Sequence, residues 1–219
     1  MSWIVAIDGP AAAGKGTLAR RVAAHLGLAY LDTGALYRAV GLSVLRAGAD
    51  PADPTAASAA ARTLTPDAMA ALAQDPDLRS EATGQAASQV AAQQPVRDAL
   101  LDFQRRFAAC PPQGARGAVL DGRDIGTVVC PDATHKIFVT ASVEERARRR
   151  IKELRDKGAE VIESRVLQDL KERDARDQDR SVAPLRPAEG AWLLDTSTLD
   201  ADAAFAAVLA YLSDGTAAR

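Results

Sequence analysis

The chain has 219 residues, of which 47% are hydrophobic and 26% are charged. These proportions are typical of a globular protein with enough apolar residues for a sizeable core. The formal net charge of −2 argues against a general electrostatic affinity for nucleic acids or anionic membranes, and no apolar run approaches the ~18 residues of a membrane span.

Two cysteines, Cys110 and Cys130, are too few for a disulfide framework or a zinc site, so we expect each to be a buried or bystander thiol. The first residues carry no basic segment before the first apolar run, which is not typical of a signal peptide. We therefore expect a cytoplasmic protein.

The first 54 residues show apolar runs alternating with helical patterns. Residues 3–7 and 28–31 are short, apolar and rich in β-branched or aromatic side chains, which predicts two buried strands. Residues 15–26 and 35–46 have the spacing of amphipathic helices. Residues 48–54 contain two prolines and a glycine, which predicts a loop.

Residues 55–110 are rich in alanine and have helical propensity, with breaks near Pro66, Pro76 and Pro95. We expect several short helices, because leucine, valine and methionine recur often enough to give each helix an apolar face. The alternative is a partly disordered segment of low complexity.

The second half of the chain continues the alternation of strands and helices. We expect strands at 119–121, 136–139 and 192–195, and helices at 142–157, 162–176 and 201–213. Strands that alternate with helices predict an α/β fold around a mostly parallel sheet.

The strongest motif lies between the first strand and the first helix and follows the phosphate-loop pattern G-x-x-x-x-G-K. Its backbone N–H groups and the helix N-terminus suit phosphate oxygens, Lys15 suits the β- and γ-phosphates, and Thr17 suits Mg²⁺ or a phosphate oxygen. The motif predicts an ATP and Mg²⁺ site formed by Gly9, Pro10, Ala11, Ala12, Ala13, Gly14, Lys15, Gly16 and Thr17.

A guanine-reading Asn-Lys-x-Asp segment does not occur, which argues against a GTPase. Residues 171–180 carry eight charges in ten positions, which fits a solvated helix with ion pairs. However, Arg173, Asp177 and Arg180 share one helical face. Arginines held by an aspartate suit a lid that clamps phosphate, which favours a kinase over a simple ATPase.

Five segments, in this order along the chain, resemble the bacterial cytidylate kinase family. They are residues 9–17, 32–38, 87–91 with 95–97, 121–129 and 173–185. The resemblance implies transfer of the ATP γ-phosphate to CMP or dCMP with Mg²⁺. It also implies a monomer with small nucleotides as partners and without a nucleic-acid or membrane partner.

The resemblance also implies roles for individual residues. Arg38, Arg123 and Arg180 would hold the acceptor phosphate, and Lys15, Arg123 and Arg180 would be catalytic. Arg173 and Asp177 would approach the sugar. The residues that would read cytosine are Ser88, Arg97 and Asp124.

The cytosine assignment is also chemically reasonable. The exocyclic amine of cytosine suits a carboxylate, and its N3 and O2 acceptors suit an arginine, whereas uracil reverses this pattern at two positions. The sequence differs from the family in two places. Thr33 stands where we expect a serine, which keeps the hydroxyl, and residues 64–77 are expected to form a short helical insert instead of short β-strands.

The fold implied is a P-loop kinase three-layer α/β sandwich, in which helices flank a five-stranded parallel sheet. We expect a single domain over residues 1–219, with a monophosphate-binding subdomain at 49–113 and a helical lid at 151–181. The core would be formed by residues 1–48, 114–150 and 182–219.

Two alternatives remain open. One is a P-loop kinase for another small acceptor (UMP, AMP or shikimate), and the other is a non-catalytic nucleotide sensor. His25 is expected to be partly exposed, and His135 is expected in a loop before a strand. Neither has a carboxylate or serine at a telling spacing in the sequence, so we do not expect them to be catalytic. Trp3 and Trp192 border predicted strands and are expected in the core.

Overall fold

The computed structural model describes residues 3–156 and 158–217. Its sheet has five parallel strands in the spatial order β2-β3-β1-β4-β5. The strands are β1 (Trp3–Asp8), β2 (Ala29–Asp32), β3 (Gly117–Gly122), β4 (His135–Thr140) and β5 (Trp192–Asp195). Each predicted strand is confirmed, with its ends shifted by no more than two residues.

The α-helices of the described residues flank the sheet. They are α1 (Lys15–Leu26), α2 (Thr33–Arg46), α3 (Pro54–Arg62), α4 (Pro66–Ala73), α5 (Glu81–Ala91), α6 (Gln94–Ala109), α7 (Val143–Asp156), α8 (Glu163–Asp179) and α9 (Ala201–Ala217). The predicted three-layer α/β architecture is confirmed. The predicted end of one helix at Lys157 lies outside the described residues.

The two faces of β1 contribute to separate apolar clusters, as expected for a central strand whose side chains alternate. Val5 and Ile7 pack with α1 and α9, where Val22 and Val208 are fully buried. Ala6 points to the opposite cluster, which includes residues of α6 and β3. The sheet is therefore covered on both faces.

The parallel arrangement brings three aspartates to one edge of the sheet. Asp8 ends β1 opposite Gly122, and Asp32 ends β2 opposite Asp121 of β3. Ligands of open α/β sheets bind at this carboxyl edge. The register therefore positions three carboxylates beside the loop that follows β1.

The alanine-rich segment is helical and packed, which supports the prediction of several helices over that of partial disorder. A 3₁₀ turn at Pro76–Arg79 completes the insert at 64–77, so its predicted helical character is confirmed. Leu78 of this turn is 2% exposed. Val40, Val90 and Val96 are fully buried in the cluster that joins α2, α5 and α6.

Two features differ from the sequence-based expectations. His135, expected in a loop, is the first residue of β4 and is buried, with Trp3 and Tyr211 edge-on to its ring. A π-helical turn at Ile125–Val129 follows β3 and was not predicted. Both features depend on contacts with residues that are distant in the sequence, which a local pattern does not contain.

The remaining expectations concern single side chains. His25 is exposed, and Cys130 is buried whereas Cys110 is exposed. Trp3 and Trp192 are partly buried and pack against the core cluster of β1. No helix among the described residues combines the length and the apolar character needed to cross a membrane.

Helices α2 and α5 cross closely at Gly41. A Cβ on Gly41 would lie 3.0 Å from the Cβ of Ala86 and 3.0 Å from the backbone nitrogen of Ala87. These two helices carry Thr33, Arg38 and Ser88. The glycine therefore sets the distance between two elements that hold predicted site residues.

We expect Gly41→Val to lower the free energy of unfolding by about 1–3 kcal/mol, because the added side chain forces α2 and α5 apart. Urea denaturation measures this change. Leu45→Val, at a 37% exposed position of the same helix, is the matched control and should cost less than about 0.5 kcal/mol. Equal losses in the two variants would contradict the close-packing explanation.

Candidate active site

The loop between β1 and α1 has the backbone geometry of a phosphate-binding loop. Gly14 has φ 87° and caps α1, and Gly9 has φ 147°. A Cβ on Gly9 would overlap the carbonyl oxygen of Val139 in β4. Glycine is therefore required at position 9 for both conformation and space.

Lys15 lies at the first position of α1 and is 6% exposed. Its Nζ donates a hydrogen bond to the carbonyl oxygen of Pro10 at 2.9 Å. Burial and the positive charge of Arg123 lower the pKa of Lys15 to about 7. An anion in the loop would restore the ordinary preference of this side chain for its charged form.

Asp121 lies close to the phosphate loop and was not among the predicted site residues. Its Oδ1 accepts a hydrogen bond from the Tyr30 hydroxyl at 3.1 Å, and its Oδ2 lies 3.4 Å from the place where a Cβ on Gly16 would be. Burial and the negative charge of Asp32 raise the pKa of Asp121 to about 6. Its position at the end of a parallel strand was the signal that could have identified it.

Eight predicted site residues line one cleft, which we call the arginine cleft. The predicted residues that line it are Thr33, Ser88, Arg97, Arg123, Asp124, Arg173, Asp177 and Arg180, together with Gly34, Tyr37, Ala87, Ala91 and Gly122. These side chains come from α2, α5, α6 and α8 and from the end of β3. The structure therefore brings together residues that lie up to 147 positions apart in the sequence.

A buried ion pair lies at one side of the arginine cleft. Arg97 Nη2 donates to Asp124 Oδ2, and both side chains are 6% exposed. The guanidinium lies 5.6 Å from the centre of the Tyr37 ring and also donates to the carbonyl oxygen of Ala91 at 3.2 Å. The pair thus presents an acceptor and a fork of donors in a fixed arrangement.

Asp177 links the helices on the opposite side of the cleft. Its Oδ1 accepts from the Ser88 hydroxyl and its Oδ2 accepts from Arg123 Nε, both at 3.0 Å. Burial alone would raise the pKa of Asp177, but Arg123, Arg173 and Arg180 lower it below its ordinary value. Ser88, predicted to read a base together with Arg97 and Asp124, makes its hydrogen bond to Asp177 instead of to either of those residues.

Two buried guanidinium nitrogens have no hydrogen-bond acceptor among the described residues. They are Arg173 Nε and Arg180 Nη2, although Arg180 Nη2 also lies 3.7 Å from Asp124 Oδ1 as an ion pair. Burial lowers the pKa of Arg173 to about 10, and the nearby charge of Arg123 contributes. Buried donors without acceptors are costly, so this cleft is suited to an anionic ligand.

Of the residues predicted to bind the acceptor, Arg38 alone does not line the arginine cleft. Its Nη1 donates to the carbonyl oxygens of Leu78 and Ser80 at 3.1 and 3.2 Å. A Cβ on Gly84 would lie 3.1 Å from Arg38 Nη2 and 3.3 Å from Arg173 Nη1. Arg38 is therefore close to the guanidinium of Arg173 while it also anchors the 3₁₀ turn.

Comparison with known proteins agrees with this geometry. The model of the cytidylate kinase family matches residues 5–214. The chain belongs to the cytidylate kinase family. A cytidylate kinase of Paramagnetospirillum magneticum is 66% identical over 95% of this chain and 97% of its own, and one of Rhodospirillum rubrum is 60% identical over 96% and 97%.

The family membership makes the protein a nucleoside monophosphate kinase, a transferase of pyrimidine nucleotide metabolism. It excludes two of the alternatives, a shikimate kinase and a non-catalytic nucleotide sensor. The crystal structure of an uncharacterised protein from Eubacterium ventriosum has a TM-score of 0.54 and 14% identity, and covers 96% of this chain and 98% of its own. This likeness supports the fold alone.

A second cleft of this cytidylate kinase family member lies on the outer side of the phosphate loop, and we call it the Thr196 cleft. It is lined by residues of the loop and α1, of the first half of α7 and of the segment that leads into α9: Ala13, Gly14, Thr17, Leu18, Glu145, Arg148, Arg149, Thr196, Leu199, Asp200, Ala201 and Ala204. Arg149, which was not predicted, donates to Thr196 Oγ1 at 3.0 Å. The charged run at 144–150 gave no sign of which arginine faces this cleft.

Asp8 connects the end of β1 to the π-helical turn. Its carboxylate oxygens accept hydrogen bonds from the backbone N–H groups of Ile125 and Gly126, both at 2.8 Å. Burial raises the pKa of Asp8 to about 6, although these two hydrogen bonds oppose the shift. The turn follows Arg123 and Asp124, so Asp8 helps to fix the backbone that carries both.

The raised pKa of Asp8 predicts a pH-dependent stability. Between about pH 4 and pH 6 the folded state keeps a proton that the unfolded state has lost, so the free energy of unfolding falls by roughly 1–3 kcal/mol as pH rises across this window. We expect a smaller fall in Asp8→Asn, because only Asp121, whose pKa is raised to about 6 by burial and the charge of Asp32, still contributes to it. Urea denaturation at pH 4, 5, 6 and 7 measures it.

Asp202→Asn is the control, because that carboxylate in α9 has an 87% exposed side chain. The control should follow the pH dependence of the unaltered protein. Parallel curves for the unaltered protein and Asp8→Asn would show that Asp8 does not titrate in this range.

Proposed function

We propose that this enzyme transfers the γ-phosphate of ATP to CMP or dCMP, which gives ADP and CDP or dCDP, with Mg²⁺ bound to the donor. The observation that carries the proposal is the buried Arg97–Asp124 pair at the side of a cleft with excess positive charge. The names of the relatives support the same acceptor.

The charge of the arginine cleft suits a phosphate monoester. Its lining holds four arginines and two aspartates, so the formal charge is +4 − 2 = +2. A nucleoside monophosphate carries close to two negative charges on its phosphate near neutral pH, with a second pKa of about 6. The guanidinium groups of Arg123 and Arg180 can donate to its oxygens in the bidentate geometry that arginine favours.

The Arg97–Asp124 pair suits cytosine. The carboxylate can accept from the exocyclic amine, and the guanidinium can donate to N3 and O2. Uracil offers O4 and N3–H at two of these positions and would leave buried polar groups unpaired, which selects against UMP.

The phosphate loop and the Thr196 cleft form the proposed donor site. The phosphates would lie along the loop beside Lys15, and the base would lie in the Thr196 cleft, whose lining includes Gly14, Thr17 and Arg149. Each of these residues is on or directly next to the loop, or packs against it. A Cβ on Gly14 would be 3.8 Å from Arg149 Nη1.

The residues present fit Mg²⁺. Burial and the nearby negative charge of Asp32 raise the pKa of Asp121, so a cation beside the two carboxylates would be favourable, and the Thr17 hydroxyl provides a neutral oxygen. No group of three or more His, Cys, Asp or Glu suited to a metal occurs among the described residues, which agrees with a cation held by one or two carboxylates and substrate phosphates. When bound, Mg²⁺ would neutralise phosphate charge.

The chemistry follows from position and charge. Lys15 reaches the donor phosphates from one side, and Arg123 and Arg180 reach the transferring group from the arginine cleft, so charge on its oxygens is stabilised while it moves in line between the two nucleotides. Arg173 and Asp177 are proposed to approach the sugar of the acceptor. We also propose that residues 49–113 and 151–181 act as the monophosphate-binding subdomain and the lid.

The proposal is tested by nucleoside diphosphate formation from ATP and Mg²⁺ with CMP, dCMP, UMP and AMP in parallel. We expect CMP and dCMP to have kcat/KM values at least about tenfold above those of UMP and AMP, because mispaired polar groups cost about 1–3 kcal/mol. A preference for UMP or AMP would overturn the assignment of the acceptor.

The base-reading pair gives a sharper prediction. We expect Arg97→Met or Asp124→Ala to lower the ratio of kcat/KM for CMP over UMP at least about tenfold, because one lost polar contact to the base is worth about 1–3 kcal/mol. ATP binding, measured by calorimetry, should be retained. Arg105→Met is the matched control, since Arg105 lies on the same helix and, within the described residues, donates to the carbonyl oxygens of Val128 and Val129 and not to the arginine cleft.

Loss of the base-reading arginine or aspartate leaves a buried partner charge, so folding of each variant is checked by its thermal unfolding midpoint. An unchanged preference for CMP over UMP in folded Arg97→Met would refute the role of the pair. A changed preference for CMP over UMP in Arg105→Met would also refute the role of the pair.

A further inference from the structure

Arg146 is a buried arginine that touches three separate parts of the fold. It lies in the first turn of α7, and its side chain is 6% exposed. It makes four hydrogen bonds: Nε to the carbonyl oxygen of Ala141 at 3.0 Å, Nη1 to the carbonyl oxygen of Ala11 at 3.2 Å and to Asp174 Oδ1 at 3.1 Å, and Nη2 to Asp174 Oδ2 at 2.6 Å. The end of β4, the phosphate loop and α8 therefore meet at one guanidinium group.

The contact with Ala11 bears on the phosphate loop. In a trans peptide the C=O and the following N–H point in opposite directions. Because Arg146 holds the carbonyl of Ala11 towards α7, the N–H of Ala12 points to the other side of that peptide. Ala12 itself has φ 59°, a left-handed conformation that is unfavourable for a residue with a Cβ. Arg146 is thus bonded to the peptide next to the strained residue.

The contact with Asp174 bears on the arginine cleft. Asp174 follows Arg173 directly and precedes Asp177 by one helical turn, and both of these neighbours line the cleft. The two parallel hydrogen bonds from Arg146 fix Asp174 in position and rotation, as bidentate arginine–carboxylate pairs do. They therefore fix the position of α8, and with it that of Arg173, relative to α7.

Arg146 is not among the residues that line the arginine cleft or the Thr196 cleft. Four of its five N–H groups are used within the protein. It is therefore placed to act on the site through other residues and not by contact with a nucleotide.

We propose that Arg146 is a positioning residue that keeps the phosphate loop and α8 in one arrangement, with the N–H of Ala12 available to donor phosphates and Arg173 directed into the arginine cleft. The proposal rests on the proposed function for the identity of the two nucleotides. A lysine cannot replace the arginine, because one ammonium group cannot bridge the three segments in the same planar geometry.

Three variants separate the two halves of the proposal. We expect Arg146→Met and Arg146→Lys to raise the Kd of ATP with Mg²⁺, measured by calorimetry without an acceptor, about tenfold, the effect of one lost charge-assisted hydrogen bond. Asp174→Asn leaves the Ala11 contact in place. We expect it to keep the Kd of ATP within about twofold and to lower kcat for CMP about tenfold, because only the α8 contact is weakened.

The matched control is Arg116→Met, which removes an exposed arginine just before β3, outside both clefts and the proposed lid; Arg116 Nη2 donates to the carbonyl oxygen of Leu26 at 2.9 Å. It should leave the Kd of ATP and kcat unchanged. All measurements are made at a temperature at which each variant is folded, as judged by its thermal unfolding curve. If Arg146→Met does not fold, Arg146→Lys and Asp174→Asn still test the two contacts.

Folded variants at Arg146 with an unchanged Kd of ATP would overturn the part of the proposal that concerns the phosphate loop. An unchanged kcat in Asp174→Asn would overturn the part that concerns α8. Failure of the proposed acceptor would be seen separately, in the unaltered protein, as weak phosphorylation of CMP and dCMP, whereas ATP binding without an acceptor does not depend on that assignment.

Discussion

The repulsion among guanidinium groups that converge in one cleft is the constraint on which the rest of the site depends. Burial lowers the pKa of Arg173 to about 10, and the charges of Arg123 and Arg38 contribute; burial and the charge of Arg97 lower the pKa of Arg180. Two aspartates offset part of this charge, and the three neighbouring arginines keep the pKa of Asp177 low. What remains is an excess of positive charge that a dianionic monophosphate can neutralise, so the cleft is organised for a ligand at some cost to its own stability.

Around the phosphate loop, buried groups of both positive and negative charge also shift each other's pKa values. Burial and the nearby charge of Arg123 lower the pKa of Lys15 to about 7. Burial raises the pKa values of Asp8 and Asp121 to about 6. Three buried groups therefore titrate close to neutral pH within one small region. Donor phosphates would favour the charged form of Lys15. The negative charge of the proposed donor would therefore balance the positive charge of this buried side chain.

The parts of the site that could be predicted are those encoded within a short stretch of chain. The phosphate loop lies between a strand and a helix in residues 9–17, and the segments after β2 and β3 stand at strand ends, which is enough to place them at one edge of the sheet. The contacts of the charged helices were harder to predict, because alternating charges also fit a solvated helix. Only the fold shows that Arg146 pairs with Asp174, 28 residues away, and that Asp177 is buried whereas Asp179 is exposed. The π-helical turn likewise depends on Asp8, 117 residues before Ile125.

The phosphate loop carries Gly16 where a serine or threonine is usual. A Cβ at this position would lie 3.4 Å from Asp121 Oδ2 and 3.8 Å from the Tyr30 hydroxyl, which donates to Asp121 Oδ1. A side chain at these ordinary contact distances would lie between the loop and the carboxylate of Asp121. Glycine leaves the carboxylate of Asp121 beside the loop, and the hydroxyl is provided one residue later by Thr17. In the proposed magnesium site, oxygen ligands would therefore come from both the loop and the end of β3, which would tie the donor side of the site to the strand that also carries Arg123 and Asp124 at its end.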